Sequence, residues 1–339
     1  MNHLAKTCTL LLCLQCTQLC AQPYDPVPDS LRVMTWNVEW MYDDDLGDNL
    51  SKLAREQSAP SQEYWQAKLT SVAEVIAAAK PDIVALQEIE GRQTLMAIAE
   101  QLKSAHQQTY RHAFIEGNDS FTEQDVGVLH RSGLVAFRRH EQSKAMFDSQ
   151  QYYNVSKHLV CEFRWAEMES PLTILNVHLR ATPEAEDLRV RQTRLLRQWM
   201  SPELAAGQDV IILGDFNSEY FARPSSSASE SAGEVAVLLG HRDQPVMNDL
   251  LGHLTGSHLS THVVLEKQFD RIFTSQSLME DGPGTDWTFD KLEIITAGVI
   301  RGERDGAEHW PKRLSATQED LKEIDVSDHF PVMATFLAK

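Results

Sequence analysis

The chain has 339 residues, 49 acidic against 31 basic, a formal net charge of −18, and 42 % hydrophobic and 24 % charged residues. That balance excludes wholesale disorder, collagen-like repeats and a polytopic membrane protein. The excess of acid argues against a polybasic nucleic-acid scaffold or an anionic-lipid anchor, although a bound divalent cation can supply positive charge locally.

Residues 1–6 carry one positive charge, 9–14 are apolar apart from Cys13, and Leu19-Cys20-Ala21 offers a small-residue cleavage site. This reads as a secretory signal peptide over 1–21, too short to span a bilayer stably. A buried N-terminal helix is the bland alternative. A lipoprotein processed at Cys20 is less attractive, because Leu19 before it is bulky. Four of the five cysteines (Cys8, Cys13, Cys16 and Cys20) lie in this segment, so cleavage leaves Cys161 alone. The Cys13-x-x-Cys16 spacing has no partner ligands in a hydrophobic leader. Cleavage removes Lys6 and no acid, taking the formal charge from −18 to −19. A secreted or periplasmic location follows as the expectation.

Past a proline-rich lead (Pro23, Pro26, Pro28), short apolar runs recur at 31–36, 82–86, 126–129, 172–177, 210–213, 268–273 and 330–337. Their length and their β-branched and aromatic content predict buried strands. Between them, Trp65, Leu69, Val72 and Ile76 mark one face of a helix over 61–79, which Pro81 stops. Helices are also expected over 94–102 and 184–200, the second with Leu188, Leu195 and Trp199 on one side. The acidic stretch 43–48 and the Ser-rich stretch 224–233 read as loops. With no internal repeat and no long linker, one α/β domain over 24–339 is the simplest organisation.

Polar groups sit where these strands end. Asn37, Gln87-Glu88, His178 and Asp215-Phe216-Asn217 each follow an apolar run; Asp270-Arg271 follows Phe269, and Asp328-His329 precedes the last run. Such groups are costly to bury unpaired, and strands ending together gather them at one rim.

The segments TWNV (35–38), LQE (86–88), NVHL (176–179), GDFN (214–217), FDRI (269–272) and SDHFP (327–331) stand in the order found in the endonuclease/exonuclease/phosphatase superfamily. The chain resembles the deoxyribonuclease-I-like members of that superfamily, and the likeness spans residues 35–331. Any one segment is weak; six in order are specific. The resemblance implies a four-layered α/β sandwich, two mostly antiparallel sheets packed face to face with helices outside.

Glu88 is the favoured ligand for a hard cation, Mg²⁺ with Mn²⁺ or Ca²⁺ as alternatives, because such ions take oxygen ligands. The matching family positions imply that Asn37 and Asp328 complete the metal neighbourhood; alone, they read as a turn former and a cap. His329 is the candidate general base, with Asp270 fixing its tautomer as the resemblance implies. His178 donates a hydrogen bond to phosphate or a proton to the leaving oxygen; its bland reading is a core histidine. Asn217 holds a phosphate oxygen. The family gives the Asp215 position three roles (base, water orienter or second metal ligand), and all three stay open. Zinc is disfavoured, because Cys161 stands alone and His178 and His329 lack ligand-spaced partners.

Arg189 and Gln192 resemble the family's Arg-x-x-Gln and equally suit a solvated helical face. Arg180, Arg189 and Arg271 are the candidate substrate cations. Asp125 matches a strand whose leading polar residue often reaches the site, and 116–125 reads as an acidic loop without EF-hand ligand order. The expected activity is metal-dependent hydrolysis of phosphodiesters, foremost by a secreted, sequence-nonspecific endonuclease acting on nucleic acid. The alternatives are a lipid-directed, sphingomyelinase-like phosphodiesterase or small-phosphoester phosphatase, and an inactive binding module. The sequence shows no exposed aromatic hairpin of the kind membrane-acting members use; Trp287 with Phe289, or Trp310, are the residues that could belong to one. No stable membrane insertion and no protein partner is implied.

Overall fold

The computed structural model describes residues 24–222, 233–241, 244–255, 257–281, 285–301 and 324–339. The expected leader, residues 224–232 of the Ser-rich loop and Trp310 lie outside them. In chain order the first half contains β1 (Ser30–Met41), α1 (Lys52–Gln57), α2 (Gln62–Ala79), β2 (Ile83–Ile89) and α3 (Arg92–His106). Then come β3 (Arg111–Ala113), β4 (Asp125–His130), β5 (Leu134–Arg138), α4 (Lys144–Ser149) and β6 (Lys157–Phe163). The second half contains β7 (Leu172–His178), α5 (Glu186–Ala205), β8 (Asp209–Asp215), α6 (Gly233–Leu239), β9 (Gly240–His241) and β10 (Gln244–Pro245). It closes with β11 (Asn248–Asp249), β12 (Asp270–Thr274), β13 (Trp287–Ile294) and β14 (Val332–Ala338).

These strands form two six-stranded sheets, β13-β14-β1-β2-β4-β3 and β11-β12-β8-β7-β6-β5, beside a small β9–β10 ladder. Each large sheet is mixed, with a single parallel pair among its pairings, β1 with β2 and β7 with β8. A parallel pair needs a long crossover, and α1 with α2 supplies the first and α5 the second. The Ser61 hydroxyl caps α2 by accepting from the Tyr64 N–H, and Lys80 ends it in a left-handed conformation just before Pro81.

Alternation along the strands builds the layers. Leu31 and Val33 of β1, Ile83 and Ala85 of β2, Leu172 and Ile174 of β7, and Ile211 and Leu213 of β8 meet between the sheets. The intervening residues face outward: Met34, Trp36 and Val84 pack on Leu69, Val72 and Ile98 of α2 and α3. Across the molecule Leu175, Val210 and Ile212 pack on Leu195, Leu196 and Leu238 of α5 and α6. The result is the expected helix–sheet–sheet–helix sandwich. Among the described residues no helix is long and apolar enough to cross a membrane.

Toward one end, the space between the sheets turns polar. Gln87 donates to the Thr35 hydroxyl at 3.0 Å and to Asn176 Oδ1 at 2.7 Å. Asn176 in turn donates to the carbonyls of Leu86 and Gly127, both at 3.0 Å. This network satisfies the buried amides and ties one sheet to the other.

Several elements escape the sequence pattern. β5, β6, β13 and α6 were not expected; Lys157, His158 and Glu162 break up the apolar run of β6, although the strand is buried almost throughout. β13 is an edge strand with mixed exposure. Its two aromatics turn toward the core. Trp287 is fully buried against Trp165, and Phe289 packs on Phe336.

Candidate active site

Beyond the polar layer, strand ends from both sheets converge. In the second sheet the register does the work: Asp215 of β8 pairs with His178 of β7 on one side and Asp270 of β12 on the other. Lys157 of β6 pairs with His178. Directly opposed residues share a face, so these four side chains form a row along the inner rim.

The first sheet reaches the rim by breaking its own pattern. Gln87 points inward, so strict alternation would send Glu88 out to the helices. The register slips between Gln87 and Ile89, and Glu88 adopts φ 61°. That left-handed bulge turns the carboxylate inward. A second slip lies beyond Asn37, where Glu39 and Trp40 have φ 49° and 41°. Non-glycine residues are held in this region only when surrounding contacts over-determine them, and such residues cluster at functional sites.

The third contribution is the turn into β14. Ser327 Oγ donates to the Asn37 carbonyl at 2.7 Å and accepts from the His329 N–H at 3.0 Å. The indole of Trp36 donates to the His329 carbonyl at 2.9 Å. These bonds hold His329 over the ends of both sheets.

Asn37 Nδ2 donates to Glu88 Oε1 at 3.0 Å and to Asp215 Oδ2 at 2.9 Å, while its Oδ1 accepts from the Glu39 N–H. Asn37 therefore presents its NH₂ group, not its oxygen, to the carboxylates. The Trp40 N–H donates to Glu88 Oε2 at 3.0 Å. His178 Nε2 stands 3.8 Å from Glu88 Oε1 and 3.6 Å from Asp215 Oδ2. His329 Nδ1 lies 2.7 Å from Asp270 Oδ2, leaving Nε2 facing Asp328 Oδ1 at 3.7 Å and Asp215 Oδ2 at 3.9 Å.

Burial and neighbouring charge set the protonation states. Burial, with Asp328 nearby, pushes Glu39 up to about 8 and raises Glu88 above the usual carboxylate range. Burial, helped by the Lys157 charge, drops His178 to about 3. His329 goes the other way: burial opposes its charge, but Asp270 and Asp328 hold it well above the ordinary histidine value. Asp328 is likewise opposed by burial and held down to about 2 by His329 and His262. The rim is a neutral imidazole facing an imidazolium across a crowd of carboxylates.

Two sets of side chains bring ligand atoms within 4.8 Å of one another here, Glu88 with His178 and Asp215, and His262 with Asp328 and His329. Glu88, whose charged form burial disfavours, offers with the neighbouring Asp215 and Asp328 the carboxylate oxygens that a hard divalent cation takes. The residues fit such an ion.

No curated protein matches this chain. The Endonuclease/Exonuclease/phosphatase family matches it over residues 34–329. The chain belongs to that family. Solved structures share the fold at low identity. D. rerio TDP2, solved with a single-strand DNA product, is 18 % identical with a TM-score of 0.53, covering 91 % of this chain and 99 % of its own. The human Nocturnin catalytic domain, solved with a sulfate anion, is 17 % identical with a TM-score of 0.53, covering 93 % and 97 %. An endonuclease/exonuclease/phosphatase from Bacteroides vulgatus is 16 % identical with a TM-score of 0.55, covering 91 % and 99 %.

The family's motif positions thus gather as one constellation of Asn37, Glu88, His178, Asp215, Asp270, Asp328 and His329. Asn217 stands at its edge with φ 48°, its N–H donating to Asp215 Oδ1 at 2.8 Å and its amide to the Leu179 carbonyl at 3.3 Å. Arg180 is exposed just past His178. The other two candidate substrate cations are not brought to the rim. Arg189 is fully buried, donates to the carbonyls of Arg180 and Thr182, and faces Glu234 at 3.6 Å. Gln192 accepts from the Arg180 N–H at 3.0 Å. Together they hold the segment after His178 in place, neither solvated nor open to substrate. Arg271 is fully buried on the outward side of β12, ion-paired with Asp249.

Asp125 accepts from the Gly117 N–H at 2.6 Å, and burial raises it to about 7. Asp119, in the acidic loop, pairs with Lys157 at 3.3 Å. Sequence reasoning missed Glu39, Lys157 and His262. Glu39 sits two residues after Asn37 in TWNVE, a near-motif signal. The other two carry no local pattern.

Proposed function

We propose that this chain is a divalent-cation-dependent phosphodiester hydrolase, exported by its N-terminal leader to the periplasm or medium, and a sequence-nonspecific endonuclease. The observation that carries this reading is the convergence of Glu88, His178, Asp215 and the Asp270–His329 pair from both sheets on one rim. Such pre-set charges and dipoles are what phosphoryl transfer needs. Export rests on the composition of residues 1–21.

Glu88, oriented by Asn37, would hold the cation with Asp215 or Asp328 beside it. Bound there, a cation such as Mg²⁺ neutralises phosphate charge and polarises the phosphoryl oxygen. His329 would take the proton of the attacking water at Nε2 only after losing its own proton there, since Asp270 occupies Nδ1 at 2.7 Å and, with Asp328, favours the charged ring. Turnover should therefore rise with pH as the imidazolium deprotonates. His178, neutral because burial drops it to about 3, favours hydrogen-bond donation to a phosphate oxygen over proton donation to the leaving group. The Asn217 amide and Arg180 border the entrance and would meet the flanking phosphates. An inactive binding module has no need of this complete set.

The test is purified protein against supercoiled plasmid, RNA, sphingomyelin vesicles and bis-p-nitrophenyl phosphate, with and without EDTA. Plasmid nicking abolished by EDTA is expected. Turnover of lipid or small esters alone would select the lipid-directed phosphodiesterase or phosphatase, and no turnover on any substrate would select the binding module. Trp287 is buried and Phe289 partly buried against the core, so neither favours the lipid reading.

A further inference from the structure

His262 belongs to none of the family segments, yet it sits against two residues that do. The turn carrying it is tightly built. The N–H groups of Thr261 and His262 donate to the Lys267 carbonyl at 2.8 and 3.0 Å, and Ser260 Oγ donates to the His262 carbonyl at 2.7 Å. The turn is also stitched to the segment before β14. The Val263 N–H donates to the Asp328 carbonyl and the Phe330 N–H to the Thr261 carbonyl, both at 2.7 Å, and His262 bridges His329.

The imidazole has little freedom. Its Nδ1 accepts from the N–H groups of Val264 and Leu265, both at 3.2 Å. A nitrogen that accepts carries no proton, so in the neutral ring the proton lies on Nε2. That Nε2 faces Asp328 Oδ2 at 3.5 Å. The ring packs edge-on against Phe269, with centroids 5.3 Å apart, and lies 4.9 Å from the His329 ring.

We propose that His262 is a positioning residue for Asp328, its backbone-fixed tautomer donating from Nε2 to Oδ2 so that Oδ1 stays turned toward His329. Asp328 is held from a second side, its N–H donating to Glu39 Oε2 at 3.2 Å. Removing the His262 donor frees the carboxylate to rotate. Groups that orient ligating carboxylates in this way typically contribute about 10–100-fold in metal affinity or activity. The functional consequence rests on the phosphodiester-hydrolase reading; the orientation of Asp328 does not.

The experiment compares wild type, His262→Phe and His262→Gln in full-length protein. It uses histidine nitrogen-15 NMR, Mg²⁺ titration calorimetry, and plasmid nicking resolved into kcat and KM. Wild type should show the Nε2–H tautomer at His262. The Phe variant, which keeps the ring packing, should lose about 10–100-fold in Mg²⁺ affinity and kcat with KM for plasmid unchanged. The Gln variant, which keeps a donor, should recover most of that loss. If the Phe variant does not fold, His262→Asn, polar but too short to reach Asp328, replaces it with the same expected loss. An Nδ1–H tautomer in wild type, or a donor-free variant that matches wild type in Mg²⁺ affinity and kcat, overturns the proposal. Wild type that nicks no DNA defeats the endonuclease reading instead, and tautomer and Mg²⁺ affinity still decide the role of His262.

Discussion

The two sheets reach the same rim by different means. In the second sheet, unbroken register sets Lys157, His178, Asp215 and Asp270 side by side, and its titratable strand ends face one another as direct pairs. In the first sheet, slips in register and left-handed backbone at Glu39, Trp40 and Glu88 turn carboxylates inward against alternation. Regular strand geometry suffices to align hydrogen-bonding and proton-handling groups. Crowding carboxylates tightly enough for a divalent cation takes local strain, held by the bonds from Asn37 and the Trp40 N–H to Glu88. On the proposed reading the first sheet supplies the cation side in Glu88, with Asp328 and the base His329 on the turn into β14. The second supplies His178, Asp215 and the Asp270 that orients the base.

The strongest way to break that reading is at the base. His329→Ala should lower kcat by about 10²–10⁴-fold while leaving Mg²⁺ affinity within a few-fold in calorimetry. Near-wild-type turnover would remove His329 as the base. On the cation side, Glu88→Gln should weaken Mg²⁺ binding by at least about 100-fold, a direct ligand outweighing the groups that merely orient it. The same variant should raise the melting temperature of ion-free protein at pH 8, because it removes a carboxylate whose charged form is disfavoured.

The pH dependence of ion-free stability should carry both signatures with opposite sign. Glu39, raised from 4.5 to about 8, contributes stability that is present at low pH and lost as pH rises from 4.5 through 8. Glu88 and His329, both raised, act in the same direction. On the second sheet His178 and His158, lowered from 6.5 to about 3 mainly by burial, contribute stability that is lost as pH falls from 6.5 toward 3. Denaturant unfolding in EDTA across this range should show a maximum between the two limbs. Glu39→Gln should flatten the alkaline limb alone, and saturating Mg²⁺ should lift it. An alkaline limb indifferent to both would show that the carboxylates are not crowded.

The smallest effect is expected at the entrance. Arg180→Ala should raise KM for plasmid a few-fold and reduce the slope of log affinity against log salt by about one. An unchanged slope would mean that Arg180 meets no phosphate.

Much of this was legible before folding. The apolar runs at 172–177 and 210–213 became β7 and β8 nearly residue for residue, and the helix read over 61–79 is α2. That His178, Asp215 and Asp270 gather at one rim was legible because each stands at a strand end, where alternation fixes which way a side chain points. The bulges were not legible. The first strand, read as 31–36, runs to Met41, and nothing local says that Glu88 turns against its neighbours. Arg189 and Arg271 misled for the converse reason. Long cations near a motif suit substrate as well as they suit a buried partner, and only packing set Glu234 and Asp249 beside them.

The sequence by itself determined the order of the strands and helices that carry the motifs, the family and the chemical types that gather at the rim. These depend on periodicity, on short-range spacing and on motifs contiguous in the chain. Tertiary structure alone decided which carboxylates crowd, that His178 is neutral while His329 is charged, and that His262 stands behind Asp328. Those properties depend on burial and on charges brought together from distant segments. In His329 and Asp270 they come from 59 residues apart.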